Sequence, residues 1–261
     1  MKKILLTAAV AMTAFAMAPA HAVLVNFAYT NTNVSGGDQS GKTSPLLAAS
    51  NVAVAGSGIF VETFSAVTPG SVKNANGCGL DTPSSYVSLS GGSYDFRHNT
   101  VPGAAAPAGD STCFAYGPAI GGTLPDEVNI NYSGLISAFG NGKSLNYLGL
   151  YYGSIDGYND LIFYNAKHEV INTVTGASLI KLFSGTPGNR FADSSNIYVN
   201  LYFTAAEQFT SFSFKTTGLA FEMDNVSVGF NVTPVPEPAS IALLGLGLAA
   251  LGVTRRRKTK V

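Results

Sequence analysis

The stretch IYVNLYF, Ile197–Phe203, has a large apolar residue at every odd position, and the nearby stretch FTSFSFK, Phe209–Lys215, alternates polar and apolar residues from Ser211 onward. Alternation with a period of two is typical of a β-strand that turns one face toward a core. In the second stretch the pattern predicts that Phe212 and Phe214 face inward and that Ser211, Ser213 and Lys215 face solvent. Both stretches therefore predict β-structure, and no long amphipathic helix competes with them.

The same pattern extends over most of the chain between its two ends. Gly176–Phe183 is the best candidate for a helix or short turn. Many short strands without regular helix alternation favour one antiparallel β-sandwich of the jelly-roll type, hence an all-β fold. The predicted strands are Val23–Tyr29, Gly58–Val67, Ser85–Leu89, Val128–Tyr132, Leu145–Tyr152, Leu161–Tyr164, Glu169–Val174, Ile197–Phe203, Phe209–Lys215 and Leu219–Phe230.

The last of these strands changes phase. Its apolar residues lie at odd positions up to Met223 and at even positions from Val226 onward. A strand cannot keep both sets in one core without an extra residue between them. We therefore predict a bulge or break at Asp224-Asn225. Glu222 and Asp224 are expected to point to solvent or to cap the bend.

Both ends of the chain have the composition of targeting segments. Lys2 and Lys3 precede an apolar run from Ile4 to about Met17, and Ala20-His21-Ala22 fits a signal-peptidase site. Residues 1–22 are therefore predicted to be a signal peptide.

The C-terminal segment begins with Pro236-Glu237-Pro238, continues in an apolar run, Ala239–Val253, and ends in the basic cluster Arg255, Arg256 and Arg257. As a helix the run spans ~22 Å, short of a ~30 Å hydrocarbon core. Snorkelling arginines and bilayer thinning still permit a transmembrane helix. A plain single-pass anchor explains the helix and the basic residues equally well.

With its tripeptide, apolar helix and arginine cluster in this order, the segment resembles the PEP-CTERM sorting signal. The resemblance implies processing by an exosortase, a membrane enzyme of Gram-negative bacteria that make exopolysaccharide. It also implies transient residence in the inner membrane, followed by the cell surface or the extracellular matrix. The expected domains are residues 1–22 (signal peptide), 23–233 (β-sandwich ectodomain) and 234–261 (sorting signal).

The ectodomain is mildly acidic although the whole chain has no net charge. The end segments hold seven of the 15 basic residues and one of the 15 acidic ones, which leaves eight basic and 14 acidic residues and a net charge of −6. Nucleic-acid binding needs a basic patch. We therefore expect no nucleic-acid partner.

Cys78 and Cys113 are the only cysteines, and both lie in the ectodomain. An even number in an exported protein favours one disulfide. The bond would stabilise the fold by roughly 3–4 kcal/mol on the chain-entropy model. Metal ligation or a catalytic thiol would need His or Cys partners at short spacing, which the sequence does not show.

The sharpest local cluster, residues 151–160, is a candidate ligand loop. Carboxylate and amide oxygens suit calcium, and tyrosine rings suit stacking on a sugar. An ordinary turn between two strands is the alternative. The side chains concerned are Tyr151, Tyr152, Asp156, Tyr158, Asn159 and Asp160.

No catalytic motif stands out in the sequence. The ectodomain histidines, His98 and His168, are far apart, and a carboxylate pair such as Asp126 with Glu222 would depend on the fold. We expect no enzyme activity, no cofactor and no resident metal. The first hypothesis is a structural or adhesive matrix component that has exopolysaccharide as a partner. A carbohydrate-binding module and a glycan-active enzyme are the alternatives.

Overall fold

The computed structural model describes residues 23–31, 41–47, 58–67 and 71–232. Within these ranges, no helix has both the length and the apolar character needed to cross a membrane. The predicted signal peptide, the apolar run and the sorting-signal residues lie outside the described residues.

The chain forms fourteen strands and two short helices within these ranges. The helices are α1 (Ser133–Phe139) and α2 (Gly176–Phe183). The strands are β1 (Leu24–Asn26), β2 (Thr30–Asn31), β3 (Lys42–Thr43), β4 (Ile59–Glu62), β5 (Ser88–Ser90), β6 (Asp95–Arg97), β7 (Phe114–Gly117), β8 (Asp126–Asn131), β9 (Tyr147–Gly153), β10 (Asn159–Tyr164), β11 (Val170–Thr175), β12 (Ile197–Tyr202), β13 (Ser211–Thr216) and β14 (Phe221–Gly229).

The strands form two main antiparallel sheets. The seven-stranded sheet has the order β1-β12-β9-β14-β7-β6, and β4 also pairs with β14. The five-stranded sheet has the order β11-β10-β13-β8-β5. A separate two-stranded pair, β2-β3, completes the described structure. These antiparallel sheets with few helices agree with the predicted all-β class.

One apolar core lies between the two main sheets. Phe163 of the five-stranded sheet contacts Phe203, which directly follows β12, with ring centroids 4.6 Å apart. Phe214 and Phe221 make a second contact between the sheets, at 5.5 Å. The odd-numbered residues of β12 lie in this core, as their alternation predicts. The arrangement is that of a β-sandwich, and the finer jelly-roll assignment stays a prediction.

The phase slip in β14 is a bulge, as predicted. Its pairing with β9 shifts between Asp224 and Ser227, and Asn225 has a φ of 50°. The expected exposure of Glu222 and Asp224 was wrong, because they are 3 % and 0 % exposed. Side chains stand on the faces of a sheet, so these two are buried by what packs over β14 and not by its neighbouring strands. The Ala105 N–H, in the loop before β7, lies 2.9 Å from the Glu222 carboxyl.

The expected exposure of Ser211 and Ser213 was also wrong, because each is only 1 % exposed. β13 lies between β10 and β8, whose longer side chains cover the small hydroxyl groups. Tyr164 stands opposite Ser211 in this register. Lys215 is partly exposed, as its length permits.

Two further features agree with the sequence. Helix α2 has the predicted bounds, and the side chain of Thr175 caps it by accepting a hydrogen bond from the Ser178 N–H. A Cβ at Gly176 would lie 2.1 Å from the Asp156 carbonyl oxygen, so this first helical position needs glycine. Cys78 and Cys113 form the predicted disulfide, with their Cα atoms 5.7 Å apart.

Candidate functional site

The candidate ligand loop spans the connection from β9 to β10. Tyr151 and Tyr152 belong to β9 and are both 0 % exposed. The Tyr152 ring stacks on Phe221 at 4.4 Å, inside the core. The Tyr151 hydroxyl donates to the Ala108 carbonyl oxygen on the opposite side of the sheet. Neither ring offers a face to a ligand, which corrects our expectation for these two residues.

The polar residues of the loop are held by different parts of the fold. The Asn159 amide is buried and donates to the Ala220 carbonyl oxygen, 3.1 Å away. Asp160 accepts from the Gly176 N–H at the start of α2. Tyr158 and Asp156 meet near the surface, where the Tyr158 hydroxyl donates to Asp156 Oδ2 over 2.7 Å. The structure thus brings only these last two together at an accessible position.

Glu222 forms a buried acid site that the sequence did not reveal. Its carboxylate accepts from the Ala105 N–H at 2.9 Å and from the Ser154 hydroxyl at 3.1 Å. Burial raises the pKa of Glu222 from 4.5 to about 8. Because both of its partners are donors from the protein itself, this carboxyl ties the loop before β7 to the end of β9.

Glu62 of β4 is a second buried acid of this kind. It accepts from the backbone N–H groups of Phe64, Asp81 and Thr82, over 2.6–3.0 Å. Burial, followed by the nearby negative charge of Asp81, raises the pKa of Glu62 to about 8. Asp81 in turn accepts from the N–H and hydroxyl of Thr63. The pair therefore orders the segment after β4.

The β2-β3 pair covers the outer face of the seven-stranded sheet. Lys42 of β3 is buried, and its ammonium group donates to the Asn196 carbonyl oxygen at 2.6 Å and to Asp193 at 3.0 Å. The same ammonium lies 5.7 Å from the centre of the Tyr151 ring. The Asn225 amide donates to the Lys42 carbonyl oxygen. Sequence reasoning missed this network because its members are far apart along the chain.

Among the described residues, one group of His, Cys or acidic side chains is close enough to hold a metal: Cys78, His98 and Cys113. The two sulfur atoms are bonded to each other. A thiolate is the form of cysteine that binds metal, so this donor set does not fit a metal ion while the disulfide is intact.

A polar groove of about 350 Å³ lies on the outer face of the five-stranded sheet. It is lined by Ser90, Glu127, Asn129, Asn131, His168 and Ser213. The alternation in β8, whose sequence is DEVNIN, places Glu127, Asn129 and Asn131 on one face of the strand. This alternation was the signal in the sequence that could have indicated the groove.

Two facing antiparallel sheets and one disulfide define a disulfide-bonded all-β protein. The family model of the PEP-CTERM protein-sorting motif matches residues 234–258. The chain therefore carries a PEP-CTERM sorting motif, and this motif implies an exported protein that transits the membrane and is processed by an exosortase. The match contains Pro236, Glu237 and Pro238 together with Arg255–Arg257.

No curated protein matches the sequence significantly. Two solved structures share a weak likeness: the lectin domain of lectinolysin complexed with Lewis b antigen, and a histidine mutant of that domain. Each is 11 % identical, with a TM-score of 0.29, over 54 % of this chain and 93 % or 94 % of the other chain. A likeness at this level carries no argument about this protein.

Proposed function

We propose that this chain is a structural or adhesive component of the cell surface, or of the exopolysaccharide matrix, of a Gram-negative bacterium. A signal peptidase removes residues 1–22, and an exosortase acts at the C-terminal segment. The observation that carries the proposal is the sorting motif at residues 234–258, which links the chain to export and exosortase processing. The ectodomain then works by contact rather than by turnover.

Glu62 and Glu222, the two acids with a pKa raised to about 8, accept hydrogen bonds from groups of the protein itself. This supports the non-enzymatic part of the proposal. A hydrolase needs an acid and a base within reach of one bond of its substrate. The carboxyls of Glu62 and Glu222 instead accept hydrogen bonds from loop groups and lie out of reach of solvent. Their raised pKa values follow from burial and fit a role in ordering loops.

A carbohydrate-binding module that uses the 151–160 loop is the second candidate. Asp156 and Tyr158 favour it, because they form a hydrogen-bonded pair at an accessible turn. Tyr151 and Tyr152 would act only by supporting that turn. The loop's binding of calcium or sugar stays a prediction.

Mass spectrometry of the protein extracted from the surface of its host tests the main proposal. We expect a C-terminus that ends near Pro236-Glu237-Pro238 and lacks Arg255–Val261. A matched variant with the three arginines replaced by alanine should keep its C-terminus and remain in the membrane fraction. An intact C-terminus on the surface-exposed wild-type protein would leave the plain-anchor hypothesis and refute exosortase processing.

A further inference from the structure

We propose that the polar groove on the five-stranded sheet is a binding site for a neutral polysaccharide, contacted through a short run of its sugar units. The inference rests on the proposed matrix function and gives that function a ligand and a surface. The site is separate from the 151–160 loop, none of whose residues lines it.

The floor of the groove is a grid of amides and hydroxyls set by strand register. Asn129 of β8 stands opposite Ser213 of β13 on one side and Ser90 of β5 on the other. Asn131 stands opposite Ser211 and Ser88 in the next row. The hydroxyls of Ser211 and Ser213 are covered, so the groups open to a ligand are those of Asn129 and Asn131 on β8 and of Ser88 and Ser90 on β5. Residues two apart along a strand share a face, so each of these pairs presents its polar groups on one side of the sheet.

Part of this hydrogen-bonding capacity is not used within the described protein. The Asn129 amide group donates to the Ser213 hydroxyl at 3.2 Å, which leaves its carbonyl oxygen for an outside donor. Asn131 accepts from the Ser133 N–H through Oδ1, which leaves its amide N–H groups for an outside acceptor. Adjacent sugar hydroxyls need this combination of a nearby acceptor and a nearby donor.

One side of the groove is an aromatic platform. His168 is exposed, and its imidazole stacks on the Tyr164 ring at 4.4 Å with an interplanar angle of 11°. The turn before β11 fixes this position: His168 has a φ of 60°, and Asn165 Oδ1 accepts from the N–H groups of Lys167 and Glu169. The Tyr164 hydroxyl donates to Glu127 at 2.7 Å. A fixed ring beside polar groups suits the apolar face of a sugar.

The charge and size of the groove indicate the class of ligand. Lys215 lies 4.0 Å from Glu127, so the one acid that lines the groove has a basic neighbour. A site with little net charge favours an uncharged glycan over a uronic-acid or phosphate polymer. The volume of about 350 Å³ falls at the low end for ligand sites, ~300–1,000 Å³, and fits a short segment of a chain.

Binding of neutral and acidic oligosaccharides to the full-length chain tests the assignment. The probes are cellotetraose, maltotetraose, mannotetraose and tetragalacturonate, followed by saturation-transfer NMR and titration calorimetry. We expect at least one neutral tetrasaccharide to bind, and tetragalacturonate to bind at least tenfold more weakly. His168→Ala and Asn129→Ala should each weaken binding of that neutral probe about tenfold or more. Asp156→Ala, in the other candidate loop, is the matched control and should leave binding unchanged.

His168 is exposed and Asn129 partly exposed, so both variants should keep the wild-type circular dichroism spectrum and thermal midpoint. Absence of binding by every neutral probe would overturn the groove assignment. So would binding that Asp156→Ala abolishes while His168→Ala leaves it intact. Neither result bears on exosortase processing or surface retention, which the C-terminal mass measurement decides separately.

Discussion

Replacing Glu222 by glutamine should remove a large part of the pH dependence of stability. Glutamine keeps the shape of the neutral carboxyl, accepting from the Ala105 N–H through its oxygen and donating to the Ser154 hydroxyl through its nitrogen. The Glu222 pKa rises from 4.5 to about 8 in the folded protein. One pKa unit corresponds to about 1.4 kcal/mol, so the whole shift corresponds to about 5 kcal/mol.

The direction of the pH effect on stability follows from which state of the chain, folded or unfolded, keeps the proton of Glu222. Below pH 4.5 the carboxyl is protonated in both the folded and the unfolded chain, and its stabilising contribution is fully present. As the pH rises toward 8, the unfolded chain loses this proton while the folded chain keeps it, so stability falls by up to about 1.4 kcal/mol per pH unit. The unfolding free energy of Glu222→Gln should therefore rise steadily relative to that of the wild type between about pH 5 and pH 8.

Urea denaturation of both proteins at a series of pH values measures this difference. Far-UV circular dichroism is the suitable probe, because the chain has no tryptophan. Glu169→Gln is the matched control, since Glu169 is exposed and should give curves parallel to the wild type. Glu62 remains in both chains, so only the difference between them reports on Glu222. A constant difference from pH 4.5 to pH 8.5 would refute the reasoning.

Two further changes test the packing. Replacing both Cys78 and Cys113 by serine removes a bond between residues 35 positions apart. The change should lower the unfolding free energy by roughly 3–4 kcal/mol, measured by urea denaturation, and an unchanged midpoint would contradict this. Tyr152→Ala should lower the unfolding free energy by about 3–5 kcal/mol, because the ring is fully buried on Phe221. Asp156→Ala in the adjacent turn should cost far less, and equal losses in the two variants would contradict the assigned burial.

The alternation of apolar residues predicted the strands well because it depends mainly on the one core between the sheets. The bulge in β14 followed from the same rule, since a phase change within one strand has few other solutions. The burial of the outer face of the seven-stranded sheet, where the β2-β3 pair packs, was not predictable in this way. Lys42 and Asp193 are 151 positions apart, and nothing in either local sequence indicates that the β2-β3 pair covers β9 and β12.

The candidate sites, too, were predictable from the sequence only where they depend on local pattern. Tyrosines next to Gly, Asp and Asn fit a binding loop and a packed turn equally well, and only the placement of Phe221 and Ala108 decides that both rings are covered. The polar face of β8 was visible in its sequence. Its meeting with Ser213 and His168 depends on strand order, because β8 pairs with β13, more than 80 positions away.

The end of β14 has a mechanical consequence for a protein handled by its C-terminus. Val232 is clamped by the Asn146 side chain, which accepts from its N–H at 2.9 Å and donates to its carbonyl oxygen at 2.8 Å. Just before it, β14 is hydrogen-bonded to β9, β4 and β7. A pull on the residues after Val232 would load these ladders along the strand, in shear, so many bonds would share the force at once instead of opening one by one.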